Sequence, residues 1–338
     1  MPSYLIEYQL ILILIIFYLQ YLKREKISKF FGLLDYPDNI RKFHSKTTPL
    51  LGGVFLYSVL IVIFFFEIYF EKKIYPFFSI LVFSSFSFLI GILDDKFNIK
   101  HYYKLFFIGL FLIIFLLNND EYLLKNLYFL YYNKLYTLSK LPSLFLTTLC
   151  ILLLINAFNM TDGINGLSVG IAFLWLLILF SFLKLPDKYL LILIILLVMF
   201  FLVYKEKFFL GDSGSLLLSS FIGLTSIYYY NQNIYINYNI SVEEIVLIFF
   251  IPGFDMFRLF VKRILNKKNP FVGDRNHLHH ILIINFGLKS SLIIYYALIV
   301  IPYLLFKFFS IEIIYLFIIQ IIIVFFLINY SKNIKFDY

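Results

Sequence analysis

The 338-residue sequence contains little charge, one cysteine, one tryptophan and five histidines. Charged residues make up 14% of the chain and hydrophobic residues 62%, whereas soluble domains have about 25% and about 45–50%. This apolar excess excludes a soluble nucleic-acid-binding protein and a disordered chain, because water cannot solvate so much apolar surface. The lone Cys150 excludes a disulfide framework and a cysteine metal cluster. The composition therefore predicts a membrane protein.

Long apolar runs dominate the sequence. A membrane-spanning helix needs about 20 apolar residues, and eleven segments approach that length. The predicted spans are 4–22, 50–70, 77–93, 105–117, 143–157, 167–184, 188–204, 213–230, 243–260, 290–307 and 311–330. The first has no small-residue cleavage site before Lys23, so we expect a retained helix and not a signal peptide. The runs predict an all-α polytopic membrane protein with about 11 transmembrane helices, forming a single domain over 1–338.

The basic residues predict the orientation of these spans. The loops on one side of the membrane carry 20 of the 29 lysine and arginine residues, and those on the other side carry 8. Cytoplasmic loops of membrane proteins are enriched in lysine and arginine. We therefore expect the N-terminus outside and the C-terminus in the cytosol.

Four aspartates stand where predicted spans meet the cytosol: Asp94, Asp95, Asp162 and Asp212. A single aspartate in such a place is usually a solvated helix end, but four in three successive inner loops favour a functional cluster. Adjacent helical residues point about 100° apart, so one of Asp94 and Asp95 should face the reaction and the other support it. Because Mg²⁺ is commonly held by one or two carboxylates plus substrate phosphates, the cluster predicts Mg²⁺ and a phosphate-bearing substrate.

Two inner loops supply further polar side chains. Asn156 and Asn159 are three residues apart on one helix face, so we expect them to present amides to a substrate at the same depth. His44 and Lys46 precede a Thr-Pro turn, where they would reach a phosphate or bind lipid headgroups.

The longest inner loop carries a basic cluster, namely Arg275, His277, His279 and His280. An anion-binding group that stabilises the developing charge of a diphosphate is the favoured interpretation. A zinc site built from three histidines and a solvated basic loop stay open as alternatives. In the preceding span, Asp255 and Arg258 are three residues apart and are expected to form an ion pair within the helix.

Taken together, these loops resemble the polyprenyl-phosphate N-acetylhexosamine-1-phosphate transferase family (glycosyltransferase family 4) from about residue 32 to about residue 283. The most specific motifs are NAFNMTDG at 156–163 and FLGDSGS at 209–215. The segment DRNHLHH at 274–280 resembles the His-x-His-His of members that initiate surface polysaccharides. The related peptidoglycan translocase carries three consecutive histidines instead.

The resemblance implies a reaction in which a sugar-1-phosphate passes from a UDP-N-acetylhexosamine, such as UDP-GlcNAc, to undecaprenyl phosphate with release of UMP. Such a reaction begins the synthesis of O-antigen, teichoic acid, capsule or a similar polymer at the inner (cytoplasmic) membrane. The implied partners are these two substrates and membrane lipids, without nucleic acid, and a homodimer stays open.

The resemblance also implies roles for individual residues. Asp94, Asp95 and Asp212 would be catalytic, with Asp94 acting as base on the lipid phosphate. Asp212 and Asp162 would hold Mg²⁺, for which Mn²⁺ is an alternative. His44 and Lys46 would bind the lipid phosphate. The nucleotide-sugar site would comprise Asn156, Asn159, Asp162, Asn165, Arg275, His277, His279 and His280.

One departure from the family pattern concerns Asn165, which stands where many members have a second acid in Asp-Gly-x-Asp-Gly. Asparagine keeps the hydrogen bonding but loses a charge. Three other functions stay open at this point: the phospho-N-acetylmuramoyl-pentapeptide transferase of peptidoglycan synthesis, a polytopic transporter, and a non-enzymatic membrane scaffold or scramblase. The His-x-His-His pattern argues against the first. Acids at one interface and the lack of a visible repeat argue against the second, because transporters bind near the membrane midplane, often between repeated halves.

Overall fold

A computed structural model describes residues 3–36, 47–71, 75–237, 240–269 and 275–333, and helices account for 79% of the structure. The α-helices in these ranges are α1 (Ser3–Leu22), α2 (Arg24–Phe31), α3 (Gly52–Phe66), α4 (Phe77–Phe97), α5 (His101–Asn118), α6 (Lys140–Met160), α7 (Leu167–Phe182), α8 (Lys188–Tyr204), α9 (Gly211–Asn237), α10 (Val242–Leu265), α11 (Leu278–Phe309) and α12 (Ile313–Asn333). A π-helical turn, Glu67–Glu71, extends α3, and a 3₁₀ turn, Asp120–Tyr122, follows α5.

The described strands form two small antiparallel pairs. Strand β1 (Leu34–Asp35) pairs with β2 (Thr48–Pro49), and β3 (Asn126–Phe129) pairs with β4 (Lys134–Thr137). The second pair fills the stretch between α5 and α6, where the sequence predicts no span.

Each of the eleven predicted spans coincides with one helix, and α2 is an additional short helix that the apolar runs did not predict. Within the part of the chain that the structure describes, seven helices are long and apolar enough to cross a membrane: α1, α3 with its π-helical turn, α4, α5, α6, α11 and α12. In lipid, a helix satisfies all its own backbone hydrogen bonds, which is why these runs fold as helices. The chain is an all-α polytopic membrane protein, and the number of crossings and their orientation stay predictions.

The largest difference from the sequence prediction concerns the histidine-bearing stretch, which was expected to be a loop. Leu278 begins α11, so His279 and His280 lie in the first helical turn. Gly287, with φ 71° and ψ 171°, interrupts α11 ahead of the apolar run 290–307. An apolar run ends at the first polar residues, so it predicts only part of the helix. The backbone of α11 stays helical over polar residues as well.

Helix α9 lies at the centre of the bundle, against α3, α4, α6 and α7. All residues of its 213–227 stretch are buried, although this stretch contains several hydroxyl side chains. Ser219, Ser220 and Ser226 donate their hydroxyls to carbonyl oxygens one turn earlier in the same helix. The hydroxyl groups of these three serines are therefore paired within their own helix, and small side chains of this kind let neighbouring helices approach closely, as at helix interfaces in membranes.

The closest of these approaches joins α4 to the beginning of α9 at Gly91. A Cβ at Gly91 would lie 2.4 Å from the Ser213 Cα atom and 2.6 Å from the Asp212 carbonyl oxygen. Both obstructing atoms belong to the backbone, so no side chain can move aside. Glycine at this position brings Asp94, one turn further along α4, next to Asp212.

We expect Gly91→Ala to destabilise the protein by about 1–3 kcal/mol, the usual cost of overpacking. Thermal unfolding of the purified protein in detergent measures the change. Gly253→Ala, within α10, is the matched control because a Cβ there meets nothing within 4 Å. Equal melting temperatures for the two variants would contradict the close packing of α4 against α9.

Candidate active site

Two aspartates lie on either side of the Lys104 ammonium group at one end of the bundle. Lys104 belongs to the first turn of α5, and its Nζ atom lies 2.5 Å from Asp94 Oδ2 and 3.6 Å from Asp212 Oδ2. Asn159, in the last turn of α6, donates its amide to Asp212 Oδ1 at 2.7 Å. The ends of α4, α5, α6 and α9 thus bring three predicted site residues together around one lysine.

The two carboxylates differ in their access to solvent. The Asp94 side chain is 6% exposed and the Lys104 side chain 9%, whereas the Asp212 side chain is 32% exposed. Asp94 and Lys104 therefore form a buried ion pair beneath the open carboxylate of Asp212. Of these three side chains, that of Asp212 is the most accessible.

Asp95 anchors the beginning of α9. Its Oδ1 atom accepts the backbone N–H of Asp212 at 2.8 Å, and its Oδ2 atom accepts that of Ser213 at 3.0 Å. The first amides of a helix lack intrahelical partners and favour negative charge. Gly211 has φ 73°, and a Cβ there would lie 2.9 Å from Asp95 Oδ2. One aspartate of the adjacent pair thus faces Lys104 and the other supports Asp212, as helix geometry predicts.

Asp162 lies in the turn between α6 and α7, where Ser168 donates its hydroxyl to Asp162 Oδ1 at 2.5 Å. Burial raises the pKa of Asp162 to about 7. The hydrogen bonds from Ser168 and the Gly211 backbone lower this pKa, and the negative charges of Asp95 and Asp35 raise it. The Gly211 backbone joins Asp162 to the beginning of α9, so both predicted metal ligands belong to one cluster.

The donor atoms of this cluster fit a hard divalent cation. Asp162 and Asp212 offer carboxylate oxygens, the ligands that Mg²⁺ and Mn²⁺ prefer. The raised pKa of Asp162 reflects a buried carboxyl group that would gain from a positive charge beside it. A cation held by these two residues would leave coordination positions for substrate phosphates.

The histidine cluster is attached to α10 through Asp255. His277 Nδ1 lies 2.9 Å from Asp255 Oδ2, and the Leu278 backbone N–H donates to both oxygens of Asp255 at 3.1 and 3.2 Å. Arg258 Nη2 donates to Asp255 Oδ1 and to the Asn276 carbonyl oxygen, each at 2.7 Å. The predicted Asp255–Arg258 ion pair is confirmed, and the same carboxylate also holds the beginning of α11.

Gly163 joins the histidine cluster to the carboxylate cluster. A Cβ at Gly163 would lie 3.2 Å from His279 Nε2 and 3.3 Å from His280 Cε1. The residue follows Asp162 directly, so the aspartate turn and the histidines are neighbours. Within the described part of the chain, neither ring nitrogen of His279 has a hydrogen-bond partner, although the side chain is buried.

Three side chains in this region offer metal-ligand atoms within 4.8 Å of one another: Asp255, His277 and His279. Such a group could hold a zinc ion, which is the alternative interpretation of the histidines. Both oxygens of Asp255 already accept hydrogen bonds from Arg258, His277 or the Leu278 backbone. We therefore favour a role for this carboxylate in holding its neighbours over metal ligation.

The two asparagines of α6 contact different neighbours. Asn156 donates its amide to Met256 Sδ at 3.0 Å, and its Oδ1 atom has no partner among the described residues. Asn159, one turn later, is bound to Asp212. Asn165 donates to Glu206 Oε1 at 2.7 Å, so a carboxylate lies beside the position where the family often has an acid.

The remaining predicted residues lie at the edges of the described structure. His44 and Lys46 lie outside the described residues, and Arg275 is exposed. The chain from Pro49 to Gly52 packs against the residues that precede α9. The Phe209 N–H donates to the Pro49 carbonyl oxygen at 2.8 Å, and the Phe209 carbonyl oxygen accepts the Gly52 N–H at 3.0 Å.

Sequence reasoning missed Lys104, Glu206 and the central position of Asp255. Lys104 directly precedes the predicted span 105–117, so it was counted only as a basic loop residue. The available signal was a lysine in the first turn of an apolar helix, ten residues after Asp94. No pattern in the sequence indicates the Glu206–Asn165 contact, which joins residues 41 positions apart.

The chain is similar in sequence to known proteins. The family model described as glycosyl transferase family 4 matches residues 77–230. A Thermotoga maritima protein named undecaprenyl-phosphate alpha-N-acetylglucosaminyl 1-phosphate transferase is 29% identical over 77% of this chain and 76% of its own length. A Bacillus subtilis protein with the corresponding "probable" name is 29% identical over 80% and 76%, and an Escherichia coli relative is 28% identical over 76% and 71%.

The bundle and its cluster of acids define a polytopic membrane protein with a polar site at one end of its helices. The family model covers α4 to α9, the helices that contribute Asp94, Lys104, Asn159 and Asp212 to this site. Over these helices the chain is similar to glycosyl transferase family 4.

Proposed function

We propose that this protein transfers N-acetylglucosamine-1-phosphate from UDP-N-acetylglucosamine to undecaprenyl phosphate. A lipid phosphate oxygen attacks the sugar-linked phosphorus, the bond to the UMP phosphate breaks, and UMP leaves. The products are undecaprenyl-diphosphate-linked sugar and UMP. The observation that carries the proposal is the Asp94–Lys104–Asp212 cluster beside Asn159, together with the names of the relatives.

The residues of the cluster suit phosphoryl transfer, in which a protein mainly positions groups and neutralises charge. Asp94 takes the proton of the lipid phosphate, and its ion pair with Lys104 keeps its carboxylate ionised. Asp95 holds the first turn of α9 and thereby places Asp212. A Mg²⁺ ion held by Asp212 and Asp162 would offset the charge of the donor diphosphate.

The polar residues around this cluster form the nucleotide-sugar site. Asn156, Asn165 and Gly163 lie on the α6–α7 side, and the histidines of α11 contact the same turn through Gly163. We assign the imidazoles and Arg275 to the donor diphosphate and sugar. His44 and Lys46 are assigned to the lipid phosphate from the sequence alone.

The proposed topology has eleven membrane crossings in one domain over 1–338. The N-terminus is outside, the C-terminus is cytosolic, and the site faces the cytosol at the inner membrane. Consecutive spans that alternate in direction place the ends of α4 and α6 and the beginnings of α5 and α9 on one side. A lipid phosphate and a cytosolic nucleotide can meet only there. The polymer that the product initiates is proposed to be a surface polysaccharide.

We expect the purified protein to convert UDP-N-acetylglucosamine and undecaprenyl phosphate to a lipid product and UMP only when Mg²⁺ is present. Removal of the metal with EDTA should abolish turnover, because an uncompensated diphosphate costs several kcal/mol in the transition state. Added Mg²⁺ should restore it, and Mn²⁺ in part.

The same assay separates the alternatives. UDP-N-acetylmuramoyl-pentapeptide serves as the competing donor, and its preferential use would replace the proposed donor. Unchanged activity in EDTA would contradict the metal assignment. A folded protein that used neither donor would contradict the proposed function.

A further inference from the structure

The Asp255 carboxylate lies outside the aspartate cluster and accepts several hydrogen bonds. Its side chain is 5% exposed, and its two oxygens receive hydrogen bonds from Arg258, His277 and the Leu278 backbone. An ion pair that only stabilised α10 would need the arginine alone. Two of the partners instead belong to the beginning of α11, 22 and 23 residues away.

These contacts fix the state of the His277 ring. A carboxylate that also receives Arg258 is ionised and can only accept hydrogen bonds. The Nδ1 atom of His277 must therefore carry its proton, and the ring's other polar atom, Nε2, is left for a different partner. The tautomer and orientation of a histidine are commonly set by such a hydrogen bond to one of its nitrogens.

The same carboxylate fixes the backbone that follows His277. The Leu278 N–H belongs to the first residue of α11 and has no acceptor within its own helix. Asp255 accepts this N–H and so sets where the helix begins. That position determines how His279 and His280 reach Gly163 and, beyond it, Asp162.

We infer that Asp255 is a positioning residue that acts through His277, holding this imidazole and the beginning of α11 in the geometry that receives the donor diphosphate. This inference rests on the proposed function. Arg258 supports this arrangement, because it donates hydrogen bonds to both Asp255 and the Asn276 carbonyl oxygen. It thereby holds the backbone next to His277 in place.

The test is a double-mutant cycle on kcat/KM for UDP-N-acetylglucosamine, with radiolabelled donor to follow slow variants. Asp255→Asn keeps the size and shape of the side chain but removes the charge that fixes the ring. We expect it to lower kcat/KM roughly 10-fold to 100-fold, with little change in the KM for undecaprenyl phosphate. In a His277→Ala background, the same substitution should cost no more than about 2-fold.

A purely structural role would produce the other outcome. The costs of Asp255→Asn and His277→Ala would then multiply, and the melting temperature in detergent would fall together with activity. Multiplicative costs would overturn the inference, because they would show that Asp255 does not act through His277. Arg258→Gln provides a second cycle with His277→Ala if Asp255→Asn does not fold, and the same non-multiplicative loss is expected.

Glu244→Gln is the matched control in the same helix. Glu244 is buried and forms a capping box with Ser241 at the opposite end of α10, far from the histidines. Its loss should reduce stability without coupling to His277. An inactive wild-type protein would count against the proposed function, whereas an active one with multiplicative losses would count against Asp255 alone.

Discussion

Asp212→Asn should reduce turnover by about 10³-fold or more while the protein remains folded. Asp212 is the open carboxylate of the cluster and the main proposed metal ligand, and loss of that charge removes several kcal/mol of transition-state stabilisation. The measurement is UMP release by the purified variant at saturating Mg²⁺. The backbone bonds from Asp212 and Ser213 to Asp95 do not involve the substituted side chain, so α9 should begin as before.

Asp120→Asn is the matched control for this variant. Asp120 follows the far end of α5 and pairs with Lys125 at 2.9 Å and with Lys140 at 3.0 Å. Exposed ion pairs of this kind contribute at most about 1 kcal/mol, so activity should stay close to that of the wild type. Substantial turnover by Asp212→Asn in a correctly inserted protein would refute the metal assignment.

Lys104→Gln should lower kcat/KM about 10²-fold, a loss typical of removing one charge-stabilising donor. The lysine lies between Asp94 and Asp212, so its removal leaves two neighbouring carboxylates without a compensating charge. Asp94 would then lose the partner that keeps it ionised. Steady-state kinetics with both substrates measure the change.

Lys100→Gln is the control for Lys104→Gln, since Lys100 is exposed and lies four residues earlier at the beginning of α5. A surface substitution of this kind should change kcat/KM by no more than about 2-fold. If both lysine variants behaved alike, Lys104 would have no special place in the reaction.

The helices were predictable because apolar runs in a membrane protein can fold in few ways. The exceptions have physical causes. Lys104 was missed because hydropathy assigns a lysine to a loop, whereas here two carboxylates satisfy it within a helix. Helix α2 was missed because its eight residues, REKISKFF, are too short and too polar for an apolar-run search.

The aspartates and histidines were predictable as sets, but their partners were not. Helix geometry predicts that Asp94 and Asp95 diverge, yet only the packing of α4 on α9 reveals which one meets Lys104. The Asp255–Arg258 pair was expected from spacing alone. The hydrogen bond between Asp255 and His277 depends on where α11 begins relative to α10. The spacing of residues in the sequence does not indicate that position.

The most direct test of the account follows the sugar-linked phosphate. UDP-N-acetylglucosamine carrying ³²P in that phosphate is incubated with the purified protein, undecaprenyl phosphate and Mg²⁺, and the label is traced by thin-layer chromatography. We expect the label to move into the lipid product while the released UMP is unlabelled. Label retained in UDP beside a glycosylated lipid would mean that the sugar is transferred without its phosphate, and would contradict the account.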